Sequence, residues 1–246
     1  MFQQAKNLAQ KLRLPGFLEN MERRCAEFES GNLSPSEFLS LLLSDEANSR
    51  KNKLNKRLES IARFRHRIDL EDWDASFDRG ISKAKMKEIF QLSFLHNREN
   101  LIILGKTGEG KTHLAIGIGR RACQESSGVL FSSVNFFLEE AIATKASGKY
   151  LAWVKTITKK EILIFDDFAL RQYNHEEAGI ILDILEERQR KSITIVTSQV
   201  HPDGWIKLFE DPVIAEAIVD RLRNPSQIIT LKGGSYREKL KITKKD

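Results

Sequence analysis

The chain is short of cysteine. Its 246 residues include only two, Cys25 and Cys123, which stand far apart, with no Cys-x-x-Cys pair and no His/Cys cluster. That spacing implies no zinc site and makes a disulfide framework a poor explanation of the fold. Long apolar runs are also missing: nothing approaches the roughly 18 residues that a membrane-spanning helix needs. The opening residues, MFQQAKNLAQKLRLPGF, are mixed and polar, without the apolar stretch of a secretory signal. A reducing, cytoplasmic setting with no membrane partner is therefore expected. The sequence has no internal repeat and no low-complexity segment. What is present is 41% hydrophobic residues, enough for one sizeable core with a small accessory domain, and 30% charged residues with a net charge of +6. A basic balance favours a polyanionic partner such as nucleic acid, although net charge alone is weak support.

The first part of the chain reads as helical. Apolar residues recur at three- and four-residue spacing over Phe2–Leu14 and Phe17–Phe28. Ser34-Pro35-Ser36-Glu37 is a helix start, with a capping serine, proline in the first turn and glutamate at the third position. Phe38, Leu39, Leu41, Leu42 and Leu43 then form an apolar face. Asp69–Asp78 is acidic and aromatic and looks like a boundary, giving domains at 1–70 and 71–246. A helix is expected over 81–97. Beyond it, short apolar strands at 101–104, 129–132, 162–165, 194–197 and 227–231 alternate with helices at about 113–125, 135–146, 175–190 and 211–222. Such alternation argues for a parallel sheet covered on both faces.

The strand Leu101–Leu104 leads directly into Gly105-Lys106-Thr107-Gly108-Glu109-Gly110-Lys111-Thr112, which fits G-x-x-x-x-G-K-[ST]. Glycines let the backbone wrap a phosphate with its N–H groups turned inward. The helix that starts near Lys111 adds its N-terminal dipole. Lys111 is placed to reach the terminal phosphates and Thr112 to ligate Mg²⁺, with His113 next to it at the mouth of the loop. The expected cofactors are ATP and Mg²⁺. A second apolar strand, Glu161–Phe165, ends in Asp166-Asp167. Asp166 suits the metal, usually through water. Asp167 is expected on the opposite side of the pleat, where it would polarise the attacking water. Taken alone, the two acids could equally cap a loop; the upstream phosphate loop tips the reading towards the metal.

With these motifs placed, GKTGEGKTHLA, ILIFDDFAL, IVTSQ, DPVIAEAIVDRL and LKGGSYR follow in a familiar order. From about residue 73 to 240 the chain resembles the IstB family, ATP-binding helpers of insertion-sequence transposition. That family consists of AAA+ ATPases related to the helicase loader DnaC. The resemblance implies an α/β fold, a P-loop AAA+ three-layer sandwich with a parallel five-stranded sheet, preceded by a small α-helical N-terminal domain. It also implies a polar sensor at the end of the fourth strand, either Ser198 or Gln199. Arg221, within Asp220-Arg221-Leu222, would act on a neighbouring subunit's nucleotide, with Arg223 as second choice and a plain helix-end ion pair as the structural alternative. Arg237 would be a second sensor in cis. Family members often carry proline and a small apolar residue inside the loop, where Lys106 and Glu109 stand here.

Arg50, Lys51, Lys53, Lys56, Arg57, Arg63, Arg65 and Arg67 fit either a tracker of duplex-DNA phosphates or a solvated helix face. Lys145, Lys149, Lys155, Lys159 and Lys160 form a second basic stretch. The helices of 1–45 could dock a protein, and in the family that partner is the transposase of the same mobile element. The expected function is thus an ATPase, slow and stimulated by DNA or partner, that oligomerises on DNA and assists a transposase. The alternatives are a helicase loader and a nucleotide-gated scaffold with negligible turnover.

Overall fold

The computed structural model describes residues 2–70, 73, 79–189 and 191–234. It divides the chain into two compact units, Met1–Arg57 and Leu58–Asp246. The division falls before the boundary expected at 70/71. The physical reason is packing: Leu58, Ala62, Phe64, Ile68 and Leu70 belong to the core of the second unit, and the Phe131 N–H donates to the Ala62 carbonyl at 2.8 Å.

The first unit contains α1 (Phe2–Lys11), α2 (Pro15–Glu29) and most of α3 (Pro35–Ile61). The capping box at the start of α3 forms as expected, with the Ser34 N–H donating to Glu37 at 2.8 Å and the Glu37 N–H to Ser34 Oγ at 3.3 Å. The apolar interior is thin: Ala9, Met21 and Leu42 are the buried hydrophobic residues. Beside them lies a carboxylate. Glu46 accepts the N–H groups of Gly16 and Phe17 at 2.8 and 3.2 Å and so caps α2 from a neighbouring helix. A Cβ on Gly16 would come within 2.5 Å of the Asp45 carbonyl and the Ser49 Cβ, so only glycine permits this approach. Arg24 holds Asp45 through two contacts of 2.9 and 3.1 Å.

The second unit is a five-stranded parallel sheet in the order β2-β3-β4-β1-β5. The strands are β1 (Asn100–Leu104), β2 (Val129–Ser133), β3 (Ile162–Phe168), β4 (Ile193–Ser198) and β5 (Ser226–Thr230), each within a few residues of its expected place. Side chains alternate between the faces. Leu101, Ile103, Phe131 and Ile164 pack with α6 (Lys111–Gln124), whereas Ile102, Leu163, Phe165 and Val196 pack with α7 (Val134–Ala146), α8 (Tyr150–Thr158), α9 (His175–Arg188) and α10 (Pro212–Arg223). Asn174 and Glu177 cap α9 reciprocally, and Asp211 caps α10. The helix expected over 81–97 is two helices, α4 (Lys83–Phe90) and α5 (Ser93–His96), separated at Leu92, whose φ is 54°. Arg188 is 1% exposed. Its guanidinium donates to the carbonyls of Ile157, Lys160, Glu161 and Ile193, tying α8 to the starts of β3 and β4. Among the described residues no helix is long and apolar enough to cross a membrane.

Candidate nucleotide site

The loop that follows β1 is anchored at its base. The Gly105 N–H donates to the Ser198 carbonyl at 3.2 Å, and the Leu231 N–H donates to the Leu104 carbonyl at 2.8 Å. Gly108 and Gly110 have φ of 87° and 95°, a region open to glycine at no steric cost. Gly110 is the N-cap of α6, so the first N–H groups of that helix open into the loop. Lys111 is buried, and its Nζ donates to the Lys106 carbonyl at 2.9 Å.

Across from the loop stands Asp166, 1% exposed. Its Oδ1 accepts the hydroxyls of Thr112 at 2.9 Å and Thr197 at 2.7 Å. Its Oδ2 is buried with no hydrogen-bond partner among the described residues. Burial pushes the Asp166 carboxyl above its ordinary range; Thr197 and Thr112 oppose that shift, while the charge of Asp167 adds to it. A buried carboxylate oxygen without a donor, beside a threonine hydroxyl, is a fitting pair of ligands for a divalent cation such as Mg²⁺.

Asp167 does not follow simple strand alternation. The pairing of β3 with β4 is interrupted between Phe165 and Phe168, and Asp167 has φ of 59°. Its N–H donates to Thr197 Oγ1 at 3.0 Å. One hydroxyl, that of Thr197, therefore joins both acids. Sequence reasoning passed over this residue; the only available signal was a polar side chain two positions before Gln199 in an apolar strand.

The two sensor candidates separate in space. Gln199 is exposed and accepts the Thr107 hydroxyl at 2.9 Å, which places it on the phosphate loop. Ser198 is fully buried. Its Oγ donates to the Phe168 carbonyl at 2.8 Å and accepts from the Val200 N–H at 3.1 Å and the Trp205 indole at 3.3 Å. Of the two sensor candidates, Gln199 is therefore the one on the loop, while the Ser198 hydroxyl is taken up by Phe168, Val200 and Trp205. Trp73, also passed over, lies beside the loop. Its ring is 6.3 Å from that of His113 and carries the Arg79 guanidinium at 3.7 Å, and a Cβ on Gly110 would approach it to 3.9 Å.

Arg221 is at the far edge of the sheet. Its carbonyl accepts from Asn100, the first residue of β1, whereas the phosphate loop leaves the other end of that strand. Its guanidinium pairs with Glu186 at 2.6 Å and donates to the Ala217 carbonyl at 3.0 Å. Arg223 pairs with Asp203 at 2.7 Å. Arg237 lies outside the described residues. The basic stretch 50–67 is not one face: α3 ends at Ile61, and Arg63, Arg65 and Arg67 follow it. Arg50 pairs with Glu46 at 2.7 Å, Arg63 meets Glu140 at 2.7 and 3.1 Å, and Arg65 lies 5.9 Å from the Phe131 ring. Lys53, Lys56 and Arg67 are exposed.

A parallel sheet in this order, with a phosphate loop after its first strand and acids at the end of its third, defines a P-loop α/β protein built for a nucleotide. The family model for the IstB-like ATP binding protein matches residues 7–244. The chain belongs to that family. It is 33% identical over 232 residues to an insertion-sequence ATP-binding protein of Sinorhizobium fredii, covering 94% of this chain and 93% of that one. It is 32% identical over 235 residues to an insertion sequence IS21 ATP-binding protein of Pseudomonas aeruginosa, covering 95% and 88%. Among solved structures, the DnaC helicase loader aligns with a TM-score of 0.53 at 19% identity, over 67% of this chain and 96% of that one. AMPPCP-bound DnaA from Aquifex aeolicus aligns with a TM-score of 0.56 at 22% identity, over 74% and 55%. At these identities the structural likeness speaks for the fold alone.

Proposed function

We propose that the chain hydrolyses ATP slowly, assembles with further copies of itself along duplex DNA, and in that form helps a transposase of the same mobile element to select its target. The observation that carries the enzymatic half is Asp166, held by the Thr112 and Thr197 hydroxyls with its second oxygen buried and unpartnered. Thr112 and Asp166 would hold Mg²⁺, which would supply positive charge against the terminal phosphates. Lys111 moves from the Lys106 carbonyl to the phosphates. Asp167 orients the attacking water, and Gln199 reports the state of the loop through Thr107. Trp73 and His113 give the base an aromatic neighbour.

Self-association is supported by Arg221. It lies about 13 Å of strand away from its own loop, at the other end of β1, a place that suits service to a neighbour's nucleotide once its guanidinium leaves Glu186. The transposition half is supported by the names of the relatives, and contact with DNA phosphates by exposed Lys53 and Lys56 in the helical unit and, separately, by exposed Arg65 and Arg67 in the sheet unit.

The test is magnesium-dependent ATP turnover with and without duplex DNA. Turnover is expected to rise with DNA and to vanish in Lys111→Ala and Arg221→Ala. Mixing the two variants is expected to restore part of it, because each supplies the half that the other lacks. Absence of turnover on DNA, with assemblies still forming, would favour a nucleotide-gated scaffold. Assembly that requires a helicase would favour a loader.

A further inference from the structure

The loop that is meant to hold phosphate contains a carboxylate of its own. The G-x-x-x-x-G-K-[ST] pattern asks for no acid at position 109, and an anion beside an anion site is unfavourable unless it does something else there. Glu109 is only 6% exposed. Its Oε2 accepts the Lys106 N–H at 2.6 Å, and its own N–H donates to the Lys106 carbonyl at 3.4 Å. The same carbonyl takes the Lys111 ammonium at 2.9 Å. A Cβ on Gly105 would meet Glu109 Oε2 at 2.6 Å and the Leu231 Cβ at 3.1 Å. The carboxylate is therefore wedged on the Leu231 side of Gly105.

We propose that Glu109 is a positioning residue for nucleotide binding, a clasp that holds residues 105–109 in the binding shape before the nucleotide arrives. A segment with three glycines in six residues loses much conformational freedom on ordering. Closing it in advance from 109 to 106, through side chain and backbone at once, lowers the entropy that binding must otherwise supply. The clasp also fixes the carbonyl on which Lys111 waits. It works through a hydrogen-bond acceptor, so its charge is incidental.

This inference rests on nucleotide binding at Gly105–Thr112, and the test separates the two. Affinity for a fluorescent ATP analogue with magnesium, KM and kcat for ATP, and melting of the nucleotide-free protein are measured for the unaltered chain, Glu109→Ala, Glu109→Gln, Glu109→Asp and Lys111→Ala. Glu109→Ala is expected to weaken binding about tenfold and to raise KM by a similar factor, with a smaller change in kcat. Glu109→Gln keeps an acceptor of the same reach and is expected to recover affinity to within about threefold. Glu109→Asp keeps the charge but is too short to reach the Lys106 N–H, and is expected to resemble Glu109→Ala. If Glu109→Ala does not fold, the Gln and Asp variants carry the same contrast. Binding that is equal or tighter in both Glu109→Ala and Glu109→Gln would make the carboxylate a bystander or a rival of the phosphate and overturn the clasp. A Gln variant as weak as Ala overturns it too, because charge and not the hydrogen bond would then matter. If Lys111→Ala binds as tightly as the unaltered chain, the nucleotide reading falls and the clasp with it. If only Glu109→Ala keeps full affinity, the clasp falls alone.

Discussion

In the Leu58–Asp246 unit, both faces of β1, β3 and β4 are covered by Leu, Ile, Val and Phe side chains that water scarcely reaches. Among the described residues of the Met1–Arg57 unit, the buried hydrophobic side chains are Ala9, Met21 and Leu42, while Phe2, Leu8, Leu12, Phe28, Leu39, Leu43 and Leu54 stand exposed. There the fixed points are polar: Glu46 at the start of α2 and Arg24 on Asp45. Each fully buried large side chain contributes roughly 1.5–3 kcal/mol, and a hydrogen bond about 1 kcal/mol. The sheet unit is thus the stiff part, able to hold Asp166, Thr197 and the loop in register. The helical unit has little margin, with few buried apolar side chains to oppose the loss of its polar ties.

The sharpest way to break this comparison is amide hydrogen exchange. Amides of β1, β3 and β4 are expected to exchange on the order of 10³-fold more slowly than those of α1 and α2; similar rates would erase the distinction. Next is chemistry: Asp167→Asn is expected to lower turnover about 100-fold and to leave exchange in α1 and α2 as it was. Arg188→Met removes the donor to four carbonyls and is expected to cost the sheet unit about 3 kcal/mol in urea unfolding. Loss of stability in the helical unit instead would contradict the separation. Glu46→Ala is expected to lower the melting temperature of the helical unit by about 5 °C, with little effect on nucleotide binding.

The smallest expected effect is acid sensitivity. The Arg24 guanidinium holds the Asp45 carboxyl below its ordinary value. Burial pushes the Glu46 carboxyl up, but Arg50 and the Phe17 and Gly16 N–H groups outweigh it, so that Glu46 too is lowered. A depressed carboxyl contributes stability that is complete above its unfolded value, about pH 4, and is lost as pH falls through the folded value. Melting of the helical unit followed between pH 6 and pH 3 is expected to fall only at the acid end. A transition that does not move would remove these two carboxylates from the account.

Much of the sheet unit was legible because apolar strands, a glycine loop and paired acids are local signals. What escaped was decided by distant partners or by single backbone angles. α8 hid within a run of lysines, although Trp153 and Ile157 are its buried face. Nothing local at Leu92 announces a left-handed residue, so one helix was expected where there are two. Ser198 and Gln199 are adjacent polar residues, and only Trp205 and Thr107 tell them apart. The eight basic residues read as one stripe because the partner of Arg63, Glu140, is far along the sequence.

The phosphate loop is fastened at its base on both sides, to β4 through Gly105 and to the chain beyond β5 through Leu104. It behaves like a board clamped at one end. The tip, Lys106–Glu109, is braced by the Glu109 carboxylate on the Lys106 N–H, whereas the root is tied to the sheet, and lifting it would break the bonds to Ser198 and Leu231 at once. The tip is joined sideways, through the Thr107 hydroxyl on Gln199, to the segment whose Val200 carbonyl takes the Trp205 indole. The chain following β4 is therefore where a change in the outer end of the loop would first be felt.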